Sequence, residues 1–221
     1  ALPIYLITLQ NELIWKTYQV GKYREFYIFE PKKRLIMALP FKDRVLQWAI
    51  YQKINPFFEK QYISHSYACI QGRGTHQAVE KLQYWLKKIH RQGKEYYCLK
   101  MDVAKYFYRI DHSALMRILK RKIKDKDLLW LLETTVIQNE TAFGLELDYS
   151  KEVRTNKKGM PIGNLTSQMF ANVYLNELEG YIDNKDIIFL TGLRRVGKTT
   201  LLKGIVNLLL HEPLANSTII N

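Results

Sequence analysis

The segment Leu99-Lys-Met-Asp-Val-Ala-Lys-Tyr-Phe107 joins an apolar strand to an acidic residue, Asp102, and then to an aromatic pair. A carboxylate at the end of a strand can hold a divalent cation and direct it into a cleft. An aspartate at such a position more often caps the following turn. The segment alone therefore leaves a metal site and a turn cap both open, and the surrounding sequence has to decide between them.

The composition describes an ordinary globular chain with a strong excess of positive charge. Its 221 residues include 34 Lys and Arg against 21 Asp and Glu, which leaves a net charge of +13. An excess of this size favours a polyanionic partner, because each phosphate contact releases counterions. A surface that is merely solubilising has the same composition, so charge leaves both interpretations open.

Cysteine content and hydropathy indicate the compartment. Cys69 and Cys98 have neither the spacing of a zinc site nor that of a disulfide framework. The apolar start, from Ala1 to Leu9, lacks a basic leader and a cleavage site, and no apolar run is long enough to span a membrane. We therefore expect a cytoplasmic protein.

Apolar periodicity predicts an α+β chain. The predicted helices are Leu9–Trp15, Phe41–Ile54, His76–His90, Ser113–Lys124, Asp127–Ile137 and a last helix that ends near Tyr181. The predicted strands are Glu25–Phe29, Leu35–Leu39 and Tyr96–Val103. The polar stretch 139–158 is interpreted as irregular, and Gly159–Gly163 as a turn. Asp111 precedes a helix, where an N-cap is a more frequent role than a metal ligand.

Several motifs follow one another in the order found in bacterial reverse transcriptases. Lys100–His112 resembles the first palm motif of that family, and Gly159–Gln168, continuing through Phe170–Leu178, resembles the next. The segments that resemble the fingers motifs are Pro31–Ile36, Phe41–Val45 and Ser66–His76. The resemblance runs from about Tyr18 to Tyr181 and implies an RNA-directed DNA polymerase, a nucleotidyltransferase of retroelements.

The resemblance also implies roles for individual residues. Asp102 is expected to bind metal, with the Val103 carbonyl as a further ligand of two Mg2+ ions that promote nucleotidyl transfer. Phe107 occupies the sugar-gate position, where an aromatic ring leaves no room for a 2′-hydroxyl; taken alone, Phe107 is an ordinary core aromatic. The other residues expected at the incoming deoxynucleoside triphosphate or the templating base pair are Arg34, Lys33, Arg73, Pro161, Ile162, Gly163 and Gln168.

Two basic features have a simpler alternative. Arg73 lies over the templating base pair if the resemblance holds, and is a solvated loop arginine otherwise. The basic run Arg117–Lys126 is interpreted as a solvated helix face, with contact to template phosphate as the alternative.

The residues of the glycine turn indicate which subtype of reverse transcriptase the chain resembles. Ile162 before the second glycine, and Ser167-Gln168 later in the motif, resemble the reverse transcriptases of diversity-generating retroelements. Such enzymes copy a template RNA with errors at adenines and work with a small basic accessory protein. A relative of group II intron proteins is the alternative.

One family motif does not occur in these 221 residues. The palm is completed in the family by Tyr-x-Asp-Asp on a hairpin, and Tyr181-Ile-Asp-Asn184 only imitates it at the end of a helix. We interpret Asp183 as a helix-end residue, and the thumb that normally follows is also missing. The polymerase activity of this chain is therefore expected to be impaired.

The last residues carry a different signature. Gly192-Leu-Arg-Arg-Val-Gly-Lys-Thr199 fits the phosphate-loop pattern, placed between an apolar strand and a helix. It resembles the start of an AAA-type ATPase, which implies ATP binding, with Mg2+ at the threonine hydroxyl. The expected phosphate-binding residues are Gly192, Gly197, Lys198, Thr199 and Thr200.

These observations give an α+β fold in two parts. Residues 1–184 are expected to form reverse transcriptase fingers and a partial palm, and residues 185–221 an incomplete P-loop strand–loop–helix unit. The expected partners are an RNA template, a DNA primer and deoxynucleoside triphosphates. The alternatives to a polymerase are an ATP-binding remnant and a non-catalytic RNA-binding module.

Overall fold

The computed structural model describes residues 2–29, 33–93, 103–137, 142–148 and 151–182. Within these ranges the helices are α1 Leu2–Ile14, α2 Phe41–Glu59, α3 Thr75–Arg91, α4 Tyr106–Arg109, α5 His112–Lys122, α6 Lys126–Val136 and α7 Leu165–Ile182. The strands are β1 Arg24–Ile28, β2 Arg34–Ala38, β3 Gly144–Asp148 and β4 Lys151–Thr155. The expected mixture of helices and strands is confirmed for this part of the chain.

The chain divides into two compact units. The first unit combines Ala1–Gln61 with Lys105–Leu178, and the second combines Tyr62–Ala104 with Glu179–Asn221.

Within the part of the chain that the structure describes, no helix has the length and apolar character needed to cross a bilayer.

The β1–β2 hairpin supplies an inward-facing apolar edge to the first unit. The two strands pair antiparallel, with Arg24 opposite Ala38 and Ile28 opposite Arg34. Side chains alternate along a strand, so β2 buries every second residue. The buried cluster on this side consists of Tyr23, Leu35, Met37, Leu39 and Phe143.

Helix starts in the first unit follow their capping residues. The side chain of Asp111 accepts a hydrogen bond of 2.8 Å from the Ala114 N–H, which confirms the predicted N-cap of α5. Asp125 caps α6 in the same way through Leu128. The predicted helices at these places are confirmed to within a few residues.

Helix α2 runs further than the sequence indicated. Its predicted end at Ile54 was wrong, because the helix continues through Pro56 to Glu59. A proline this close to the end of a helix removes only one backbone hydrogen bond. Burial of Phe58, which is 1% exposed, compensates for that loss by packing the last turn into the core.

The stretch 139–158 is not irregular throughout, and that prediction was wrong. It contains the antiparallel hairpin β3–β4, in which Gly144 pairs with Thr155 and Asp148 with Lys151. The hairpin is anchored by tertiary contacts, since a Cβ on Gly144 would come within 2.0 Å of the Lys158 carbonyl oxygen. Whether a short segment forms a strand depends strongly on the residues that pack against it. The sequence of this segment alone therefore did not predict the hairpin.

In the second unit, the loop before α3 is stabilised by local hydrogen bonds. The Arg73 side chain donates a hydrogen bond of 2.9 Å to the Ile63 carbonyl, and the Gly74 N–H donates to the Gln77 side chain at 2.9 Å. The His65 ring meets the Trp85 ring edge-on, with centroids 4.4 Å apart. Arg73 is therefore part of the local loop structure and not a freely solvated arginine.

Candidate functional site

The glycine turn of residues 159–163 is fixed against strand β2. The Met37 N–H donates a hydrogen bond of 3.0 Å to the Ile162 carbonyl. Gly163 follows with φ +134°, and a Cβ at that position would lie 2.5 Å from the Met37 carbonyl oxygen. Only glycine accepts this backbone conformation without strain and this close approach together. The turn therefore depends on Gly163 for its contact with the strand that begins at Arg34.

The same turn is held from the other side by the segment that contains Phe107. The Met160 N–H donates to the Phe107 carbonyl, and the Gly159 N–H donates to the Ile110 carbonyl, both at 2.7 Å. The His112 N–H donates to the Lys157 carbonyl at 3.2 Å. We call this set of backbone bonds between residues 107–112 and 157–160 the clasp. It connects two parts of the chain that are about fifty residues apart in the sequence.

A buried histidine side chain strengthens the clasp. His112 is 5% exposed, and its Nε2 lies 2.7 Å from the Gly159 carbonyl oxygen. Because a carbonyl oxygen only accepts, Nε2 carries the proton and donates this hydrogen bond. No metal-ligand spacing surrounds His112 in the sequence, and its side chain supports the turn.

Two buried polar pairs position the start of α7, directly after the turn. The Asn164 side chain donates a hydrogen bond of 2.6 Å to the Tyr23 hydroxyl. The Thr166 hydroxyl donates to the Gln47 side chain, and the Thr166 N–H donates to the same oxygen at 3.4 Å. Buried polar groups of this kind fix geometry, because breaking either pair leaves an unsatisfied group in the core.

Three consecutive aromatic residues of α4 have different environments. The Tyr106 hydroxyl donates to the Ala171 carbonyl at 2.6 Å. Tyr108 stacks on Phe143 with centroids 4.9 Å apart, and burial raises the pKa of its hydroxyl. Phe107 lies between them and is half-buried, with its ring edge-on to Tyr106 at 5.8 Å. Phe107 is thus not a fully buried core aromatic.

Cations surround this region of the first unit. Lys33 is exposed, with its Nζ 4.4 Å from the centre of the Tyr27 ring. Arg34 is half-buried at the start of β2, and its charge acts on the Tyr108 hydroxyl. Ile162 of the turn packs against the same buried cluster as Tyr108. The structure therefore brings the turn, Tyr108 and Arg34 into one neighbourhood.

An ion-pair cluster beside α4 was not found from the sequence. Lys105 adopts a left-handed conformation with φ 53°, and its Nζ donates to Glu152 of β4. Arg109 contacts the other oxygen of the same carboxylate at 3.3 Å. The hydrogen bond from Lys105 lowers the pKa of Glu152 below its usual value. No sequence signal predicts this ion-pair cluster. The left-handed backbone conformation of Lys105 is more usual for glycine or asparagine than for lysine.

Other predicted site residues have these positions. Pro161 is buried, and Gln168 is exposed on α7. Arg73 belongs to the second unit, as does Val103, which is 52% exposed. Asp102 and Asp183, together with the P-loop residues Gly192, Gly197, Lys198, Thr199 and Thr200, lie outside the described residues.

The described residues do not form a metal centre by themselves. In the ranges given above, no three His, Cys, Asp or Glu side chains come close enough together to hold an ion. Of the predicted ligands, only Val103 is described, and a single carbonyl is too few for Mg2+.

Comparison with known proteins identifies the family. The family model described as reverse transcriptase (RNA-dependent DNA polymerase) matches residues 27–191. The chain is a reverse transcriptase domain. This reverse transcriptase is, by family, an RNA-directed DNA polymerase, and the match extends past the boundary expected at Asn184. It includes β1, β2, the clasp and the glycine turn.

The relatives of this reverse transcriptase include group II intron proteins. It is 26% identical over 197 residues to Protein YkfC of Escherichia coli, covering 88% of this chain and 49% of that protein. It is 27% identical over 172 residues to the group II intron-encoded protein LtrA of Lactococcus lactis, covering 75% of this chain and 26% of that protein. A third relative is nuclear intron maturase 2 of Arabidopsis thaliana, at 22% identity over 69% of this chain and 22% of that protein. The reverse transcriptase chain thus spans about half or less of these proteins.

Replacement of the clasp histidine of this reverse transcriptase is expected to destabilise it. His112→Ala removes the hydrogen bond to Gly159 and leaves a cavity, which together cost about 2–3 kcal/mol in the free energy of unfolding. Urea titration followed by circular dichroism measures this loss. The exposed His90 provides the control, and His90→Ala should change stability by less than about 0.5 kcal/mol. Equal effects of the two substitutions would contradict a supporting role for His112.

Proposed function

We propose that this chain carries the nucleotide-binding part of an RNA-directed DNA polymerase. The observation that supports the proposal is the double attachment of the glycine turn, to β2 through Met37 and to the Phe107 segment through the clasp. Such an attachment holds residues from three separate motifs in a fixed relation, which is what in-line transfer to a bound nucleotide requires.

In this proposal the triphosphate of the incoming nucleotide binds at Arg34 and Lys33. A guanidinium matches phosphate oxygens with two parallel hydrogen bonds, whereas a lysine acts as a mobile point charge. The sugar is placed at Phe107, and the turn from Pro161 to Gly163 forms the adjoining surface. Arg73 is the proposed contact of the templating base pair, and Gln168 is a proposed nucleotide-binding residue.

Reverse transcriptases usually employ Mg2+, which activates the primer 3′-hydroxyl and stabilises the leaving pyrophosphate. Asp102 and the Val103 carbonyl are the residues proposed to hold it here. The remaining carboxylates belong to the Tyr-x-Asp-Asp motif, which these 221 residues do not contain. We therefore propose nucleotide and template binding for this chain, with impaired nucleotidyl transfer.

The proposal is tested by binding of an RNA–DNA hybrid at several salt concentrations. The net charge of +13 predicts affinity that falls steeply with salt, since phosphate contacts release counterions. With about five phosphate contacts, the logarithm of affinity should fall with a slope near −4 to −5 against the logarithm of salt concentration. Fluorescence anisotropy measures the slope. Affinity that does not depend on salt would contradict the proposal.

The sugar gate gives a second test, in a chain completed with the hairpin and thumb of the family. Phe107→Ala should raise ribonucleotide incorporation relative to deoxynucleotide incorporation by about tenfold or more, because the ring no longer occupies the space of a 2′-hydroxyl; this equals about 1.4 kcal/mol of discrimination. Competition between the two nucleotides in primer extension measures the ratio. Phe107→Tyr keeps the ring and should keep the discrimination. An unchanged ratio in Phe107→Ala would show that the side chain only fills space.

The subtype is proposed from the relatives and the turn together. Homology to group II intron-encoded proteins supports an enzyme of that kind. Ile162 and Ser167-Gln168 support a diversity-generating enzyme with a small basic accessory protein. In the chain completed with the hairpin and thumb of the family, copying of a defined RNA with errors concentrated at adenines favours the second subtype, and faithful copying favours the first.

A second candidate function comes from the sequence Gly192–Thr199. Its spacing suits a phosphate loop, with Lys198 at the terminal phosphates and Thr199 at Mg2+. We propose residues 185–221 as a separate segment that resembles the start of an ATPase. ATP binding that disappears in Lys198→Ala supports this candidate, and unchanged binding removes it. In the chain completed with the hairpin and thumb of the family, template-dependent primer extension separates the polymerase from this candidate and from a non-catalytic RNA-binding module.

A further inference from the structure

A row of cations follows the exposed side of α5 and its exit. Arg117, Lys120 and Arg121 are exposed on α5, where Lys120 and Arg121 follow Arg117 by three and four residues and therefore share one side of the helix. Lys124 is exposed as well and follows the helix, which ends at Lys122. The opposite side of α5 packs into the first unit through Leu115, Ile118 and Leu119.

These cations line a groove between α5 and α6. The groove has a volume of about 540 Å³ and includes all four cations of the row, with apolar surface from Met116 and Ile137. Glu133 is the one carboxylate among its described lining residues. The groove therefore has a strongly positive wall, and a surface lined by one sign of charge attracts an anion of the opposite sign.

The charges of the row are only partly neutralised. Lys120 contacts Glu133 at 3.7 Å, and Arg121 pairs with Glu177, whereas Arg117 and Lys124 have no ion-pair partner in the described part of the chain. The two paired cations are 51% and 59% exposed, and such surface pairs contribute little stability. Their carboxylates can therefore give way to a competing anion at little cost.

The shape of the row indicates a chain of phosphates and not a single phosphate. Cations that follow one side of α5 and continue past its end form a row, and a row matches successive phosphates of a strand better than it matches one anion. An anionic membrane surface fits less well, because such helices also present large apolar side chains to the lipid. Within the described residues, α5 and α6 expose no large apolar side chain of that kind.

We propose that this groove binds the phosphate backbone of RNA, as a contact surface separate from the nucleotide site at the glycine turn. Arg117 and Lys124 are its anchoring cations, and Arg121 adds a guanidinium between them. The contact is independent of nucleotide sequence, because phosphates carry no base information. It does not depend on polymerase chemistry, so an inactive polymerase leaves it intact.

The test uses the whole 221-residue chain and a single-stranded RNA of mixed sequence, with a fluorescent label and without nucleotides. Arg117→Gln combined with Lys124→Gln should weaken binding about tenfold at moderate salt and reduce the salt slope by about 1.4, which corresponds to two lost phosphate contacts. The charge-conserving pair Arg117→Lys and Lys124→Arg should retain the slope. The matched control is Lys87→Gln combined with Lys88→Gln, which removes the same charge from exposed positions of α3 and should weaken binding by no more than about twofold.

Several outcomes would overturn the proposal. Equal losses in the groove variant and the control would show that only total charge matters. An unchanged salt slope in the Arg117→Gln, Lys124→Gln variant would show that the row is a solvated helix face that does not contact RNA phosphates. A loss of binding to vesicles of anionic phospholipid, with RNA binding unaffected, would assign the groove to a membrane surface. Both glutamine variants should keep the unfolding midpoint of the unmodified chain, because the substituted side chains are exposed and unpaired. If the midpoint of a glutamine variant falls, the salt slope of the Arg117→Lys, Lys124→Arg variant is the deciding measurement, because a proposal based on charge requires that slope to be unchanged.

Discussion

Replacing Gly163 by alanine is expected to lower the free energy of unfolding by about 3 kcal/mol or more. Two costs contribute, because φ +134° is strained for any residue with a side chain, and the new Cβ would meet the Met37 carbonyl oxygen at 2.5 Å. Met37 cannot move away freely, since it is fully buried and paired with Glu25 in the β1–β2 hairpin. Urea titration measures the loss. Amide exchange at Met37 should also accelerate, because its N–H donates to Ile162 of the displaced turn.

Gly93 provides the control for this prediction. It has φ +64°, but a Cβ there meets no atom within 4 Å. Gly93→Ala therefore tests backbone strain without the steric contact and should cost about 1 kcal/mol. If Gly163→Ala were as mild as Gly93→Ala, and Met37 exchange were unchanged, then the close approach between the turn and β2 would have no energetic importance.

These 221 residues by themselves are expected to give no primer extension above background with Mg2+ or Mn2+. Two ions need carboxylates from both palm motifs, and the sequence offers Asp102 without Tyr-x-Asp-Asp. A hydroxyl that is neither activated nor held in line does not attack at a useful rate. The assay is extension of a labelled DNA primer on an RNA template, followed by gel electrophoresis.

The matched positive control is the same chain joined to the hairpin and thumb of a related reverse transcriptase. Restored extension there, lost again in Asp102→Asn, would show that these 221 residues support chemistry when the carboxylates of the hairpin are supplied. Robust extension by the 221 residues, abolished in Asp183→Ala, would instead show that Tyr181–Asn184 acts as a displaced catalytic hairpin. The interpretation of Asp183 as a helix-end residue would then be wrong.

Helices α5 and α6 could be predicted to within two residues because their signals are local, and Asp111 was predicted as the cap of α5. Helix α1 was predicted only from Leu9 and in fact begins at Leu2, so that prediction was wrong. Where structure depends on distant contacts, prediction failed. The continuation of α2 past Pro56 rests on the burial of Phe58, and the β3–β4 hairpin rests on contacts between Gly144 and Lys158. Neither contact can be read from neighbouring residues.

The same distinction holds at the candidate site. The glycine turn and Phe107 could be proposed because the order of motifs resembles one family, and their roles stay predictions. The histidine bond to Gly159 and the pairing of Lys105 with Glu152 join residues 47 apart in sequence. Lys105 also adopts a backbone conformation that its residue type does not suggest. Such features arise from tertiary structure and leave no pattern in a single sequence.

The polar pairs at the start of α7 have a consequence for synthesis of the chain on the ribosome. Asn164 bonds to Tyr23 across 141 residues, and Thr166 bonds to Gln47 across 119. Contacts of such long range form late, because the intervening chain must first be closed into a loop. Until residue 166 emerges from the exit tunnel, the β1–β2 hairpin and α2 lack these partners. The nascent chain therefore lacks these contacts to β1–β2 and α2 until α7 has emerged, and that interval is when chaperone binding or aggregation competes with folding.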